Sequence, residues 1–183
     1  MALEPDQRIS EVVRREQSRL LNFIRRAWRP HDAVLGRVDN LKGYHDTERH
    51  PEARLIPGLV LYRFDAPIFF ANAGMFRERV SALARSGGVR WVVVAAEPVT
   101  DIDVTGGELL GALKEELETA GVELAFAELK DPVRERLRRY GVEEVIGAER
   151  IFPTIGVAVA AYLAATGTEW MDWEDRVPGA SRP

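Results

Sequence analysis

Trp91-Val92-Val93-Val94-Ala95-Ala96 and the turn that follows it, Asp101-Ile102-Asp103-Val104-Thr105-Gly106-Gly107, decide how this chain folds. The first run is apolar throughout and β-branched at its centre. It reads as a strand buried on both faces, the kind found in the middle of a sheet covered by helices on its two sides. Beyond the turn, Leu109, Leu110, Leu113, Leu117 and Ala120 recur at steps of three and four residues. That spacing predicts an amphipathic helix whose solvent face carries Lys114, Glu115, Glu116 and Glu118, and which Gly121 ends. Thr105 therefore falls at the mouth of the helix.

Two readings of Thr105 stand side by side. Thr105-Gly106-Gly107-Glu108 has the T-x-x-E spacing of a capping box, in which the threonine oxygen takes a backbone N–H and the glutamate reaches back. Alternatively, a hydroxyl at a helix N-terminus beside two glycines can carry a phosphate, which the first-turn N–H groups and the dipole would stabilise. Asp101 and Asp103 oppose that added negative charge.

Outward from this centre the chain alternates strand and helix. Ala33 to Val38, Leu59 to Phe64 and Val122 to Ala127 read as further strands. A helix runs from about Asn72, its expected N-cap, to Arg85, burying Met75, Phe76, Val80, Leu83 and Ala84. Asp131-Pro132 opens another, with the aspartate as cap and proline at the first helical position. Val142 to Ile151 is a connector with room for a small helix and strand, and Pro153-Thr154 starts a final apolar helix. Arg63 sits at a strand end, where it either pairs with Asp65 or presents a cation to an anion. Gly43 to Pro51 holds two histidines and several carboxylates but no spacing that would converge them on a metal, so it reads as a solvated loop.

At its two ends the chain changes character. Residues 1–29 read as a basic amphipathic helix in which Arg8, Arg14, Arg15, Arg19, Arg25, Arg26 and Arg29 stand against Glu11 and Glu16, a local charge of +5 over residues 8–29, ended by Pro30. Such a helix either lies on an anionic membrane surface or packs on this domain or a second copy, a homodimer. Residues 168–183, with Trp170 and Trp173 among charges, Gly and Pro, read as a mobile tail. Between them, residues 30–167 form one α/β domain, a central mixed sheet flanked by helices.

Composition bounds the function. A net charge of −4 argues against nonspecific binding to nucleic acid, and the absence of cysteine removes disulfides, thiolate metal sites and cysteine nucleophiles. There is no G-x-G-x-x-G, no G-x-x-x-x-G-K-S/T and no G-x-S-x-G, so neither a nucleotide-binding fingerprint nor a hydrolase elbow is present. No catalytic constellation, metal site or cofactor is expected. No stretch approaches the roughly 20 apolar residues that span a bilayer.

The turn Asp103-Val104-Thr105-Gly106 matches the D-x-S/T-G pattern of STAS domains, the module shared by bacterial anti-sigma-factor antagonists and the tails of SulP sulfate-permease-type transporters. Pro57 to Ala73 is similar to the strand and strand-to-helix passage of the transporter branch. Arg29-Pro30-His31 with Ala33-Val34-Leu35-Gly36-Arg37-Val38 resembles the junction at which that branch leaves the membrane. The likeness spans about Arg29 to Thr166. It implies a non-catalytic regulatory or interaction domain, cytoplasmic at the inner face of the plasma membrane, whose partner is the membrane transport domain of a SulP-type permease. It also implies Thr105 as the phosphoacceptor position, with Asp101, Asp103, Gly106, Gly107, Arg63 and Asn72 as the surrounding interaction or ligand region. The alternative it carries is a soluble switch controlled by phosphorylation at Thr105, with a serine/threonine kinase or an anti-sigma factor as partner. A weak nucleotide or anion ligand at the helix mouth is a third expectation.

Overall fold

The computed structural model describes residues 28–174. The basic segment of residues 1–29 thus lies, apart from Trp28 and Arg29, outside the described residues.

The order is β1 (Asp32–Arg37), β2 (Tyr44–Asp46), β3 (Leu59–Phe64), α1 (Ala73–Ala84), β4 (Trp91–Ala95), α2 (Val104–Thr119), β5 (Glu123–Ala127), α3 (Asp131–Arg139), α4 (Val142–Ile146), a 3-10 turn, β6 (Ile151–Phe152) and α5 (Ile155–Thr166). The strands form one six-stranded sheet in the order β2-β1-β3-β4-β5-β6. β1 pairs antiparallel with β2 and β3, and β3 to β6 run parallel, so the sheet is mixed. Every residue of β4 is buried, as a central strand requires.

The period-two alternation of β4 divides the interior. Val92 and Val94 face α1 to α4, joining Tyr62, Phe64, Phe76, Leu113 and Phe126 in the larger core. Trp91, Val93 and Ala95 face the other way, onto Ala158, Val159 and Tyr162 of α5. Helix α5 thus covers this face through one side, with Ile56 and Trp170 completing the cover, while its outer side leaves Val157 46% exposed.

Several local expectations change. The Gly43–Pro51 stretch is not a loop throughout, because Tyr44 to Asp46 pair with β1 in the register Leu35↔Asp46 and Arg37↔Tyr44. Asp46 then orders the turn beyond, accepting the Glu48 N–H at 2.9 Å. Helix α3 begins at Asp131 itself, with Lys130 as its N-cap. Lys114, expected on the solvent face of α2, is only 4% exposed at its side chain and pairs with Glu118 at 2.7 Å and Glu123 at 3.2 Å. Its aliphatic stem fills the seam between α2 and β5 while the ammonium reaches the carboxylates at the rim. Glu116 is also more than a solvated charge. It accepts from Arg77 at 2.8 Å and Ser81 at 2.9 Å, tying α2 to α1. Thr168 to Glu174, expected as the start of a mobile tail, lies against the β1–β2 corner, where Arg37 reaches Asp172 at 2.7 Å and Glu174 at 2.7 Å.

The helix mouth as candidate functional site

The carboxyl ends of the parallel strands β3 and β4 feed two loops that are zipped together. Ile68 and Ile102 form a parallel bridge. The Ile68 N–H donates to the Asp101 carbonyl at 3.0 Å, and the Asp103 N–H donates to the Ile68 carbonyl at 3.2 Å. This fixes Phe69-Phe70 beside Asp101 to Thr105, at the end of the sheet where open α/β folds place their sites.

Asp103, not Thr105, caps α2. It has extended backbone, and its Oδ1 accepts the Gly106 N–H at 2.7 Å while Oδ2 accepts the Phe70 N–H at 2.9 Å. A capping box on Thr105 is thereby excluded: the threonine is the second residue inside the helix, and its exposed hydroxyl makes no hydrogen bond among the described residues. The aspartate wins by position: it stands immediately before the helix, from where its carboxylate meets the third N–H of the first turn, whereas Thr105 already lies inside the helix.

The two glycines serve close approach. A Cβ on Gly106 would stand 2.8 Å from the Ile68 carbonyl oxygen, and one on Gly107 would stand 2.9 Å from the Tyr140 ring. Both are buried. Their missing side chains let α2 seat against the Ile68 loop and α3, so they face inward and do not ring the hydroxyl.

Asn72 occupies the N-cap position of α1 but does not cap it with its side chain. Wholly buried, its Oδ1 accepts the Phe69 N–H at 3.0 Å and its Nδ2 donates to the Pro67 carbonyl at 2.9 Å. It staples the turn that holds Phe69 and Phe70. Asp101 accepts from the Arg136 guanidinium of α3 and from the Ile102 N–H. Arg136 is the residue that spacing missed, since its place on α3 marks it only as one of several solvated arginines.

Arg63 belongs to a different cluster. Its Nε and Nη2 grip Asp65 at 2.7 and 3.1 Å, and His31 approaches the same carboxylate at 2.9 Å. Partial burial pushes the Asp65 carboxyl up, but the hydrogen bonds from Arg63 and His31 outweigh it and hold the group below the ordinary carboxylate range. The ion pair is thus the observed state of Arg63.

At the mouth itself, then, an unbonded hydroxyl sits on the positive end of a 16-residue helix, flanked by Val104 and Phe70, which are 53% and 70% exposed. Phe69 meets Phe70 edge to face at 5.5 Å. Among the described residues no three metal-binding side chains converge. The arrangement can accept a modification or a contacting partner. Among the described residues no side-chain base is hydrogen-bonded to the hydroxyl.

A family model for the STAS domain matches residues 50–158. The chain is 41% identical over 145 residues to a probable sulfate transporter of Mycobacterium tuberculosis (strain ATCC 25618 / H37Rv), covering 78% of this chain and 26% of that protein. It spans about a quarter of the length of the curated relatives it matches. The murine Solute Carrier 26 family member A9 anion transporter superposes with a TM-score of 0.71 at 23% identity, over 79% of this chain and 24% of that one. The SulP transporter STAS domain from Vibrio cholerae superposes with a TM-score of 0.54 at 20% identity, over 66% of this chain and 92% of that domain. With a six-stranded mixed sheet, a D-x-T-G helix mouth and this family match, the chain belongs to the STAS domain family, and its curated relatives are sulfate transporters.

Proposed function

We propose that this chain is the non-catalytic, cytosolic STAS portion of a SulP-type sulfate or anion transporter, and that it assembles with or regulates the membrane transport domain at the inner face of the plasma membrane. The observation that carries the reading is the 41% identity to one quarter of a probable sulfate transporter, over 78% of this chain. Among the described residues no helix is long and apolar enough to cross a membrane, so transport itself would reside in another segment or another polypeptide. The exposed Phe70 and Val104 beside the α2 mouth form a contact surface, which suits a binding role better than turnover. The test is labelled-sulfate uptake in cells of the source organism carrying an in-frame deletion of the codons for residues 32–166. Loss of uptake, with a multi-span anion transporter recovered alongside the tagged intact chain from detergent-extracted membranes, is expected. Unchanged uptake and no such transporter would refute the reading.

A switch at Thr105 is the second reading, and one observation favours it. The hydroxyl is exposed, while Asp103 is engaged by two backbone N–H groups and Asp101 by Arg136, so both carboxylates that would repel a phosphate are partly compensated. Incubation with the organism's serine/threonine kinases and ATP, followed by phosphopeptide mass spectrometry, should place a phosphate on Thr105. Labelling elsewhere, or none, removes the switch.

A further inference from the structure

The β1–β2 corner holds a peptide. The segment Thr168-Glu169-Trp170-Met171-Asp172-Trp173-Glu174 follows α5 and contributes no strand, yet it is held by arginines: Arg90 donates to the Thr168 hydroxyl, and Arg37 and Arg54 hold the rest. Arg37, 4% exposed at its side chain, donates Nε to Asp172 and Nη2 to Glu174, and its remaining nitrogen donates to the Gly43 carbonyl at 2.7 Å. Its guanidinium also stands 5.5 Å from the Trp173 and Tyr44 ring centres. Arg54 lies 4.5 Å above Trp170 and donates to the Met171 carbonyl at 3.3 Å. Trp170 rests on the edge of the smaller core.

Three features make this docking exchangeable. The contacts are ion pairs and cation–π contacts, supplied by a few residues near one end of the described chain. Both indole N–H groups of the segment are buried, and among the described residues neither reaches a protein acceptor, so neither indole is tied to the groove by a direct hydrogen bond. Finally, with the segment seated, burial opposes the charge of Arg37, and the hydrogen bond and field of Asp172, with Glu174, sustain it, so carboxylates are the groups this corner receives, whether from its own segment or from another peptide.

We propose that this corner is a groove for an acidic–aromatic peptide of the pattern Trp-x-Asp-Trp-Glu presented by another protein chain, with the domain's own segment as its resident, displaceable occupant. The planar fork of Arg37 reads the carboxylates, Arg54, itself paired with Asp39, reads the main chain, and the flat faces of both read the rings. Nothing in this inference depends on the transporter assignment.

The test uses the full chain and a fluorescein-labelled peptide of residues 168–174, read by anisotropy. The native chain should bind weakly, because its own segment competes at an effective concentration on the order of millimolar. The full chain carrying Asp172→Asn and Glu174→Gln should bind the peptide at least about tenfold more tightly, and adding Arg54→Ala should weaken that binding severalfold. A peptide with Asn and Gln in place of its Asp and second Glu should not bind. No binding by the doubly substituted chain while it keeps a native far-UV spectrum, or equal binding of the neutral peptide, overturns the proposal. Should the substituted chain fail to fold, hydrogen exchange on the native chain decides: amides of residues 168–174 should exchange faster as millimolar peptide is added, and unchanged exchange overturns it.

Discussion

Asp103 holds Gly106 and Phe70 with one carboxylate, so a single side chain both starts α2 and fixes the neighbouring loop against it. Replacing Asp103 by Ala removes a cap and a cross-loop bond together, and should destabilise the domain by about 1–2 kcal/mol in urea unfolding. Thr105→Ala, in contrast, touches no hydrogen bond and should stay within about 0.5 kcal/mol of the native chain. Equal costs for the two would restore the capping role to the threonine.

Two glycines of the same helix should respond with opposite signs. A methyl at Gly106 meets the Ile68 carbonyl at 2.8 Å, and backbone cannot swing aside as a side-chain end does. Gly106→Ala should cost about 1–3 kcal/mol. A methyl at Gly111 meets nothing within 4 Å, so Gly111→Ala should raise stability by roughly 0.5–1 kcal/mol through helix propensity alone. Thermal melts of the two variants measure both.

The acid limb of stability should rest on three carboxylates. Asp65, Glu116 and Glu123 are each held below the ordinary range: burial opposes the shift at Asp65 and Glu123 but the bonds from Arg63, His31, Arg150 and Lys114 prevail, and at Glu116 the bonds from Arg77 and Ser81 dominate. A folded-state value below the unfolded one adds stability that is complete above the unfolded value and is lost as pH falls through the folded one. Melting temperature should therefore vary little with these groups above about pH 5 and fall below about pH 4, the unperturbed carboxylate range. Glu116→Gln should flatten that fall, as scanning calorimetry from pH 7 to pH 3 can record.

Lys114 and Glu123 should not be symmetrical. Lys114→Met keeps the stem that fills the α2–β5 seam and leaves Glu123 bound to Arg150 at 2.9 Å, so it should cost less than about 1 kcal/mol. Glu123→Ala withdraws a partner from both Arg150 and the buried Lys114 and should cost about 1–2 kcal/mol, a range reduced because the carboxylate is a third exposed. Chemical denaturation of both variants gives the comparison.

Much of the fold is legible in the chain because hydrophobic period and strand length agree wherever an element is long. Trp91–Ala95, Leu59–Phe64 and the 16 residues of α2 announce themselves in this way. Tyr44–Asp46 does not, since three polar and aromatic residues give no alternation to read and their pairing is decided by β1 across the hairpin. Side chains near α2 are hard to read from the chain for a related reason. The charge of Lys114 points to solvent, but its position on the helix brings it over β5, and a long stem can be buried when its head is answered. The T-x-x-E spacing at Thr105 misleads because Asp103, two residues earlier, is the cap. Arg136 and the exposure of Phe70 are tertiary facts, set by how α3 and the Ile68 loop come to the helix mouth, and no local pattern carries them.

The sheet is closed off at its rims by its shortest members, three residues at β2 and two at β6. Neither border presents a ladder of main-chain groups long enough to template another strand, so lateral stacking into ribbons has no purchase. Recruitment of a neighbour must then be written in side chains, at the ends of helices and at corners, which leaves the backbone scaffold free to stay constant while its contacts diversify.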